Sequence, residues 1–397
     1  MYNNLIISHN IGMKKIFTVL CAATLIAGSI SSAGFKIQSS DSQLTQGCKS
    51  AYLIDYDSGE CIFKQNEFKR MPIASVCKVM TLTLAMDAVN CGNLSPDSIV
   101  TASERAAGMG GSQVFLGAGC QYSVDQLLKS IVVCSANDSC VAISETISGS
   151  EDSFVMQMNK KAEELGCKDT LFANCTGLPK ENQYSCAHDV ALMFKNLLSY
   201  ENYFNYSKIW LEDFVHPDNR TTTITNTNKL LKKYSLCDGG KTGFTNEAGF
   251  CLAATAKKDN LRLISVILGA DSSDNRFSST INMFNFGFAN YKNKIVLDKD
   301  VTLNDEFELC GGKKASFAVC PERNSFVFSA VDQTPDVTFN VVAEKVKAPV
   351  SKGQNVGKIE IFKDGVLYDT VNVVSAEDVK KAGFGDYFGI VAENWAI

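Results

Sequence analysis

Apolar residues along this chain change period several times, and the changes divide it into elements. Residues 51–64 read as a hairpin: a strand Ala51–Tyr56, a turn at Asp57-Ser58-Gly59, and a return strand Cys61–Lys64. Pro72 then breaks the chain ahead of a helix from about Ser75 to Val89, which stops near Cys91-Gly92-Asn93. That helix is apolar almost all round (Val76, Val79, Met80, Leu82, Leu84, Met86, Val89), so it is expected to run through a core and surface at its N-terminus. Helical spacing follows at Val124–Val133, Ser139–Ser148, Asp152–Leu165 and His188–Leu198. Three strands come next, Lys241–Thr245, Phe250–Lys257 and Leu261–Gly269, joined by turns at 246–249 and Asp259-Asn260. A helix over Arg276–Tyr291 then returns to pack on them.

Strands at both ends of a helical middle predict an α+β domain, an antiparallel sheet flanked by helices. Beyond Val296 short alternating runs and turns dominate, including a hairpin Lys358–Phe362, Lys363-Asp364-Gly365, Val366–Val374. This texture predicts a separate small all-β domain. Phe384, Phe388, Val391 and Trp395 recur at helical spacing at the end of the chain. A short amphipathic helix there has two readings, peripheral contact with a membrane through 384–397 or docking on its own protein.

At the other end, Lys14 and Lys15 precede an apolar run Ile16–Ile30 and then Ser31-Ser32-Ala33, the layout of a secretory signal cleaved after Ala33. The run is short for a membrane span of ~20 residues, which favours removal over an anchor. Without residues 1–33 the chain keeps 36 basic and 43 acidic residues, a net charge of −7. No basic tract points to nucleic acid.

Fifteen cysteines are many for 397 residues, but no CxxC pair or Cys/His group has zinc spacing, and no metal or other cofactor is expected. Cys310 and Cys320 are the best local candidates for a disulfide in an exported chain. Most of the others (Cys77, Cys134, Cys140, Cys251) sit in apolar runs, where a thiol packs as a small hydrophobe.

Chemistry enters with three short motifs in one order: Ser75-Val-Cys-Lys78, Ser135-Ala-Asn137 and Lys241-Thr-Gly243. On a helix Ser75 and Lys78 share a face one turn apart, while Cys77 rotates away into the packing. A serine at a helix N-terminus gains from the dipole, and its own N–H can face an oxyanion. The hydroxyl needs a base, and of three histidines His9 leaves with the signal, while His188 and His216 lie in no triad motif. Lys78 serves only as a neutral amine, a shift of about three pKa units or ~4 kcal/mol from its reference value. Burial pushes that way, and Lys241 is a candidate for a second, repelling charge. Ser-x-Asn alone is commonly a turn or cap; beside an SxxK it reads as a hydroxyl relay plus an amide that holds substrate backbone. Thr242 and Gly243 are small enough to let an extended peptide pair along an exposed strand edge.

With these three motifs together, the chain resembles the low-molecular-mass penicillin-binding proteins, the serine D-alanyl-D-alanine carboxypeptidases. The likeness extends to Ala74, Asp138, Glu164-Leu-Gly166, Phe172, Asn174, Gly177-Leu178, Tyr184-Ser185, Asp238–Thr245 and Ala248-Gly249, over about residues 48–290. The resemblance implies removal of the terminal D-Ala from peptidoglycan stem pentapeptides through an acyl-enzyme, and acylation by β-lactam antibiotics. It implies that Ser75 attacks, Lys78 takes its proton, Ser135 relays a proton to the leaving amine and Asn137 orients the acyl side. Lys241, Thr242 and, by resemblance, Arg276 would hold the terminal carboxylate, with Gly243 and Phe244 among the substrate-binding residues of the strand. The oxyanion hole would be the N–H groups of Ser75 and Phe244. The expected organisation is a signal peptide over 1–33, a catalytic serine peptidase domain over 34–295, a small β domain over 296–375 and the amphipathic helix over 376–397. The protein would act in the cell envelope, on the outer face of the cytoplasmic membrane, or be secreted.

Two other readings share the motifs. A β-lactamase needs a carboxylate to hydrolyse its acyl-enzyme, yet no Glu-x-x-Leu-Asn lies between residues 137 and 241. A penicillin-binding sensor would acylate once and stay trapped.

Overall fold

The computed structural model describes residues 43–314, 316–344 and 346–386. The proposed signal segment and the chain beyond 386 lie outside the described residues; of the helix expected over 376–397, residues 376–383 are not helical, because Val379 and Lys381 bridge to Val350 and Gly312, and helix begins only at Phe384.

The N-terminal hairpin forms as expected, β1 (Ser50–Asp55) against β2 (Cys61–Gln65). A single turn of 3-10 helix over Ala74–Cys77 leads into α1 (Lys78–Asn90). The helical middle contains α2 (Val124–Val133), α3 (Asn137–Ser148), α4 (Glu151–Glu164) and α5 (Ala187–Leu198). Strands β3 (Cys237–Thr245), β4 (Gly249–Lys258) and β5 (Leu261–Ala270) follow, and then α6 (Ser273–Asn290). The five strands make one antiparallel sheet in the order β2-β1-β5-β4-β3. The chain's first hairpin therefore docks beside its fifth strand, and β3 is left as an edge.

Helices cover both faces of this sheet, so β4 and β5 are buried almost throughout and read as continuous apolar runs. One core packs α1, α2, α3 and α5 against one face; a second joins Leu53, Leu252, Leu263 and Ile267 to Phe277, Met283 and Phe284 of α6. All of α1 from Lys78 to Met86 is buried, as its all-round apolar surface predicts.

Several boundaries differ from the sequence reading, and two of them have a clear physical reason. Helix α3 starts at Asn137, not Ser139, because Ala136 already accepts a bond from the N–H of Cys140. Strand β3 starts at Cys237, four residues before Lys241. Gly239 and Gly240 look like a turn, but they are glycines because the strand is crowded: a Cβ on Gly240 would lie 2.8 Å from the Ala253 carbonyl oxygen.

After α6 the chain enters the β domain directly. Strand β6 (Tyr291–Leu297), which spans the expected boundary at 295/296, pairs with β9 (Ser325–Ala330). The larger sheet contains β7 (Leu303–Cys310), β8 (Ser316–Pro321), β10 (Val337–Ala343), β11 (Val346–Lys347), β12 (Asn355–Lys363) and β13 (Val366–Ser375), in the order β10-β12-β13-β8-β7-β11. An α+β domain followed by an all-β domain is thus the architecture. Val379 and Lys381 continue past the last strand as bridges to Val350 and Gly312.

All fourteen cysteines of the described residues are free thiols. Cys310 and Cys320 do not pair, because Leu303 lies opposite Val319. That register sets the two cysteines about 20 Å apart along the hairpin.

Candidate active site

Ser75 sits in the 3-10 turn ahead of α1, and the backbone there is held in an uncommon shape. Ala74 has φ 48°, in the left-handed region. Two glycines permit this turn. A Cβ on Gly177 (φ +81°) would fall 2.0 Å from the Ala74 carbonyl oxygen, and one on Gly243 would fall 3.0 Å from the Ser75 nitrogen. The turn that carries Ser75 is therefore wedged between the 174–178 loop and the edge strand β3.

Lys78 opens α1 one turn later. Its Nζ lies 2.8 Å from Ser75 Oγ and donates to the Thr176 carbonyl at 2.6 Å, on a side chain with no solvent exposure. Burial lowers its pKa below the usual lysine value. The thiols around it supply no counter-charge at neutral pH, since burial pushes Cys77 and Cys140 up to about 12. Thr176 is fixed by Asn174, whose Oδ1 accepts from the N–H groups of Thr176 and Gly177 and from Thr176 Oγ1. Cys77 is fully buried with its Sγ on the Asn174 carbonyl, so the neighbouring thiol faces the packing.

Ser135 lies between α2 and α3 with φ 66°, another left-handed non-glycine residue at the same place. Its Oγ accepts from Lys241 Nζ at 2.8 Å. That lysine projects from β3, is 1% exposed, and also donates to the Thr242 carbonyl at 3.0 Å. Burial first, and the nearby Lys78 second, hold its pKa well below normal. Two lysine–serine pairs thus share one buried site. His188 and His216 are bonded elsewhere, to Asp189 and to Tyr122 with Thr222.

Asn137 begins α3. Its Nδ2 donates to the Gly110 carbonyl at 2.7 Å, which leaves Oδ1 as a buried acceptor without a partner. Thr242 is buried and donates to Thr227 Oγ1, while Phe244 is half exposed on the rim, 4.3 Å from Phe250 ring to ring. A buried amine on a serine, a second amine on a second serine, and an open strand edge beside both suit acyl transfer to a serine from a peptide laid along β3.

A family model described as D-alanyl-D-alanine carboxypeptidase matches residues 37–272, and one described as penicillin-binding protein 5, C-terminal domain, matches residues 291–381. The chain is 36% identical over 386 residues to D-alanyl-D-alanine carboxypeptidase DacF of Bacillus subtilis, covering 96% of this chain and 99% of that one. The protein belongs to the D-alanyl-D-alanine carboxypeptidase family. It is a serine-type hydrolase of the low-molecular-mass penicillin-binding class. Among solved structures, penicillin-binding protein 5 from Haemophilus influenzae is 30% identical with a TM-score of 0.65, over 84% of this chain and 98% of that one. Penicillin-binding protein D2 from Listeria monocytogenes, in an ampicillin-bound form, is 28% identical with a TM-score of 0.55, over 61% of this chain and 98% of that one. The β-lactamase and sensor readings are not favoured by these likenesses.

Within this family site, Arg276 is buried, and its Nε is left without a hydrogen-bond partner among the described residues. Its Nη1 donates to the carbonyls of Gly243 and Cys251, and its guanidinium stacks on Phe277 and Phe250. Burial lowers its pKa to about 10. It ties β3 to β4 at the Lys-Thr-Gly segment. Several contributors entered the sequence reading only as part of the family likeness, with no role given, or not at all. Thr176, Gly177 and Asn174 hold Lys78 and the Ser75 turn, and Asn-x-Thr-Gly is an Asx-turn signal that marks them. Asp138, wholly buried, accepts from the N–H groups of Val114, Leu116 and Ser139 and so anchors the 110–116 loop near Asn137. Thr227 and the Gly110 carbonyl carry no sequence signal of their own. Away from the site, Cys186, His188 and Asp189 bring three donor atoms within 4.8 Å. Cys186 caps α5 there, and Asp189 Oδ2 binds Asp169 N and Thr170 Oγ1, a use in helix capping.

Proposed function

We propose that this protein removes the terminal D-Ala from peptidoglycan stem pentapeptides by way of an ester on Ser75, and that β-lactams acylate the same oxygen. The observation that carries the assignment is the 2.8 Å approach of the buried Lys78 amine to Ser75 Oγ.

The peptide lies antiparallel to β3 with its carboxylate at Lys241 and Thr242. Neutral Lys78 accepts the Ser75 proton as Oγ attacks the carbonyl of the penultimate D-Ala. The N–H groups of Ser75 and Phe244 hold the oxyanion, a contribution of about 2.7–4 kcal/mol per donor in comparable sites. The C–N bond then breaks, and the Ser135 hydroxyl passes a proton to the departing D-Ala amine, with Lys241 restoring it. Asn137 Oδ1, the buried acceptor, takes an N–H from the acyl side. Water cleaves the ester and frees Ser75. Arg276 supports this arrangement by fixing the Gly243 carbonyl and, through it, the carboxylate end of the strand. Binding of β-lactams is supported by the ampicillin-bound Listeria relative. Export, with cleavage after Ala33, and action in the cell envelope rest on the Lys14-Lys15 and apolar segment.

The test is D-Ala release from an acetylated L-Lys-D-Ala-D-Ala peptide by the wild type beside Ser75→Ala. Many turnovers per enzyme, lost in the variant, are expected. Well-folded wild type that acylates with penicillin but releases no D-Ala would overturn the carboxypeptidase reading in favour of a sensor.

A further inference from the structure

The start of α5 gathers a thiol, an imidazole and a carboxylate that the acyl chemistry does not use. One donor atom from each of Cys186, His188 and Asp189 lies within 4.8 Å of the other two. The run Cys186-Ala-His-Asp189 puts them there because the N-cap residue and the second and third residues of a helix crowd round the same end of it.

Capping accounts for only part of this cluster. Cys186 Sγ accepts from the N–H of Asp189 at 3.5 Å, and Asp189 Oδ2 accepts from Asp169 N and Thr170 Oγ1 at 2.7 and 2.8 Å. The other carboxylate oxygen, Oδ1, faces His188 Nδ1 at 3.0 Å. Asp189 is 1% exposed, and among the described residues that imidazole is its sole ion-pair partner. A carboxylate is thus held in the interior with no permanent cation beside it, an arrangement that costs stability until a positive charge is supplied.

The spacing suits a small metal ion. Tetrahedral ligands of zinc, at about 2.0–2.3 Å from the metal, stand about 3.3–3.6 Å from one another. His188 and Asp189 are within a few tenths of an ångström of that separation, and the sulfur has to move by roughly 1 Å at most. Two of the donors are also braced from behind, as metal ligands are. Asp169 N and Thr170 fix the carboxylate. The His188 ring packs on Tyr52 and Phe68, with centroids 5.4 and 4.9 Å away, and the His188 backbone N–H donates to the Glu67 carbonyl. The imidazole is 26% exposed, which gives an ion its way in from solvent. Thiolate and carboxylate together cancel the two charges of the ion, so a filled site adds no net charge at the positive end of α5.

We propose that Cys186, His188 and Asp189 form a binding site for one thiophilic divalent ion, zinc above all, with water as the fourth ligand. On binding, the S–H bond breaks as the metal–sulfur bond forms; the proton leaves to solvent and nothing is oxidised or reduced. The ion clamps the chain at Glu67-Phe68 and the turn at Asp169-Thr170 onto the start of α5. This clamp does not depend on the carboxypeptidase reading.

The experiment titrates the reduced, metal-free full chain with Co²⁺ and then with Zn²⁺. One equivalent of Co²⁺ is expected to raise a thiolate-to-cobalt charge-transfer band, and Zn²⁺ to bleach it and raise Tm. Cys186→Ser keeps a capping oxygen while removing the sulfur, so its circular dichroism should match wild type. The band and the zinc-dependent rise in Tm should both be lost in it. His188→Gln should weaken cobalt binding at least about tenfold, and Thr170→Val, which releases Asp189 Oδ2, by about tenfold to a hundredfold. Folded, reduced wild type that shows no band would overturn the site. So would a band of equal strength in Cys186→Ser, which would place the metal on another thiol.

Discussion

Two buried lysines set the behaviour of single residues in this protein. Lys78 acts as a base only when neutral, and burial lowers its pKa. Acylation by a labelled penicillin should therefore slow as pH falls through that lowered value, because protonated Lys78 cannot take the serine proton. A stopped-flow rate that is flat from pH 5 to 9 would remove Lys78 as base. Lys78→Ala should cost at least about a hundredfold in the same assay, the usual scale of general base catalysis. The thiols give a stability prediction of definite sign. Cys77 and Cys140 are held at about 12 against 9.0 when unfolded. The stabilisation is complete below pH 9; above it the unfolded chain releases protons that the folded chain keeps, so stability is lost as pH rises from 9 towards 12. Calorimetry should show Tm falling across that window, and less steeply in Cys77→Ala with Cys140→Ala than in the wild type.

At the scale of elements, the nucleophile turn depends on what is wedged against it. Gly177→Ala adds a Cβ 2.0 Å from the Ala74 carbonyl oxygen at a φ of +81°. Displacement of Ser75 by about 1 Å is enough for a hundredfold loss of acylation. Far-UV circular dichroism should stay near wild type, since the clash lies in loop and turn. The 110–116 loop makes a contrasting case. Asp138→Asn leaves one carbonyl oxygen where two carboxylate oxygens served Val114, Leu116 and Ser139. About 1–3 kcal/mol of stability should be lost in a urea titration, the cost of a buried donor left without its partner. A wild-type midpoint would show that the loop is held by other contacts. Little of this was legible beforehand. SxxK spacing announced the lysine–serine pair because a helix repeats every 3.6 residues. The glycine at 177 was named only through the family likeness, because a steric demand from a residue a hundred positions away leaves no periodic trace.

On the scale of the whole molecule, catalysis and the β domain are separable in the chain yet joined in space. Ser75, Lys78, Ser135 and the Lys-Thr-Gly strand residues all precede Arg276, while Phe328 from β9 lies in the core beneath α6 and stacks on Tyr291. Asn293 Nδ2 reaches Asp55 and Asp57, and Lys363 pairs with Glu60. A chain ending at Asn290 should therefore keep Ser75 acylation by a fluorescent penicillin but melt several degrees lower, as about 2–4 kcal/mol of aromatic packing is removed. Loss of labelling in a folded truncation would show that the β domain supports the site itself.

Local signals determined the element types, the three motifs and the burial of α1, because periodicity, turn residues and short spacings are written within a few residues of one another. The order of strands was decided only in three dimensions: β1 and β2 join the sheet beside β5, across some two hundred residues, and leave β3 as an open edge. Tertiary packing also turned the Arg276 side chain onto strand carbonyls, parted Cys310 from Cys320, and paired Lys241 with Ser135. Each of these depends on which distant surfaces exclude water together, and a sequence states that only through the fold.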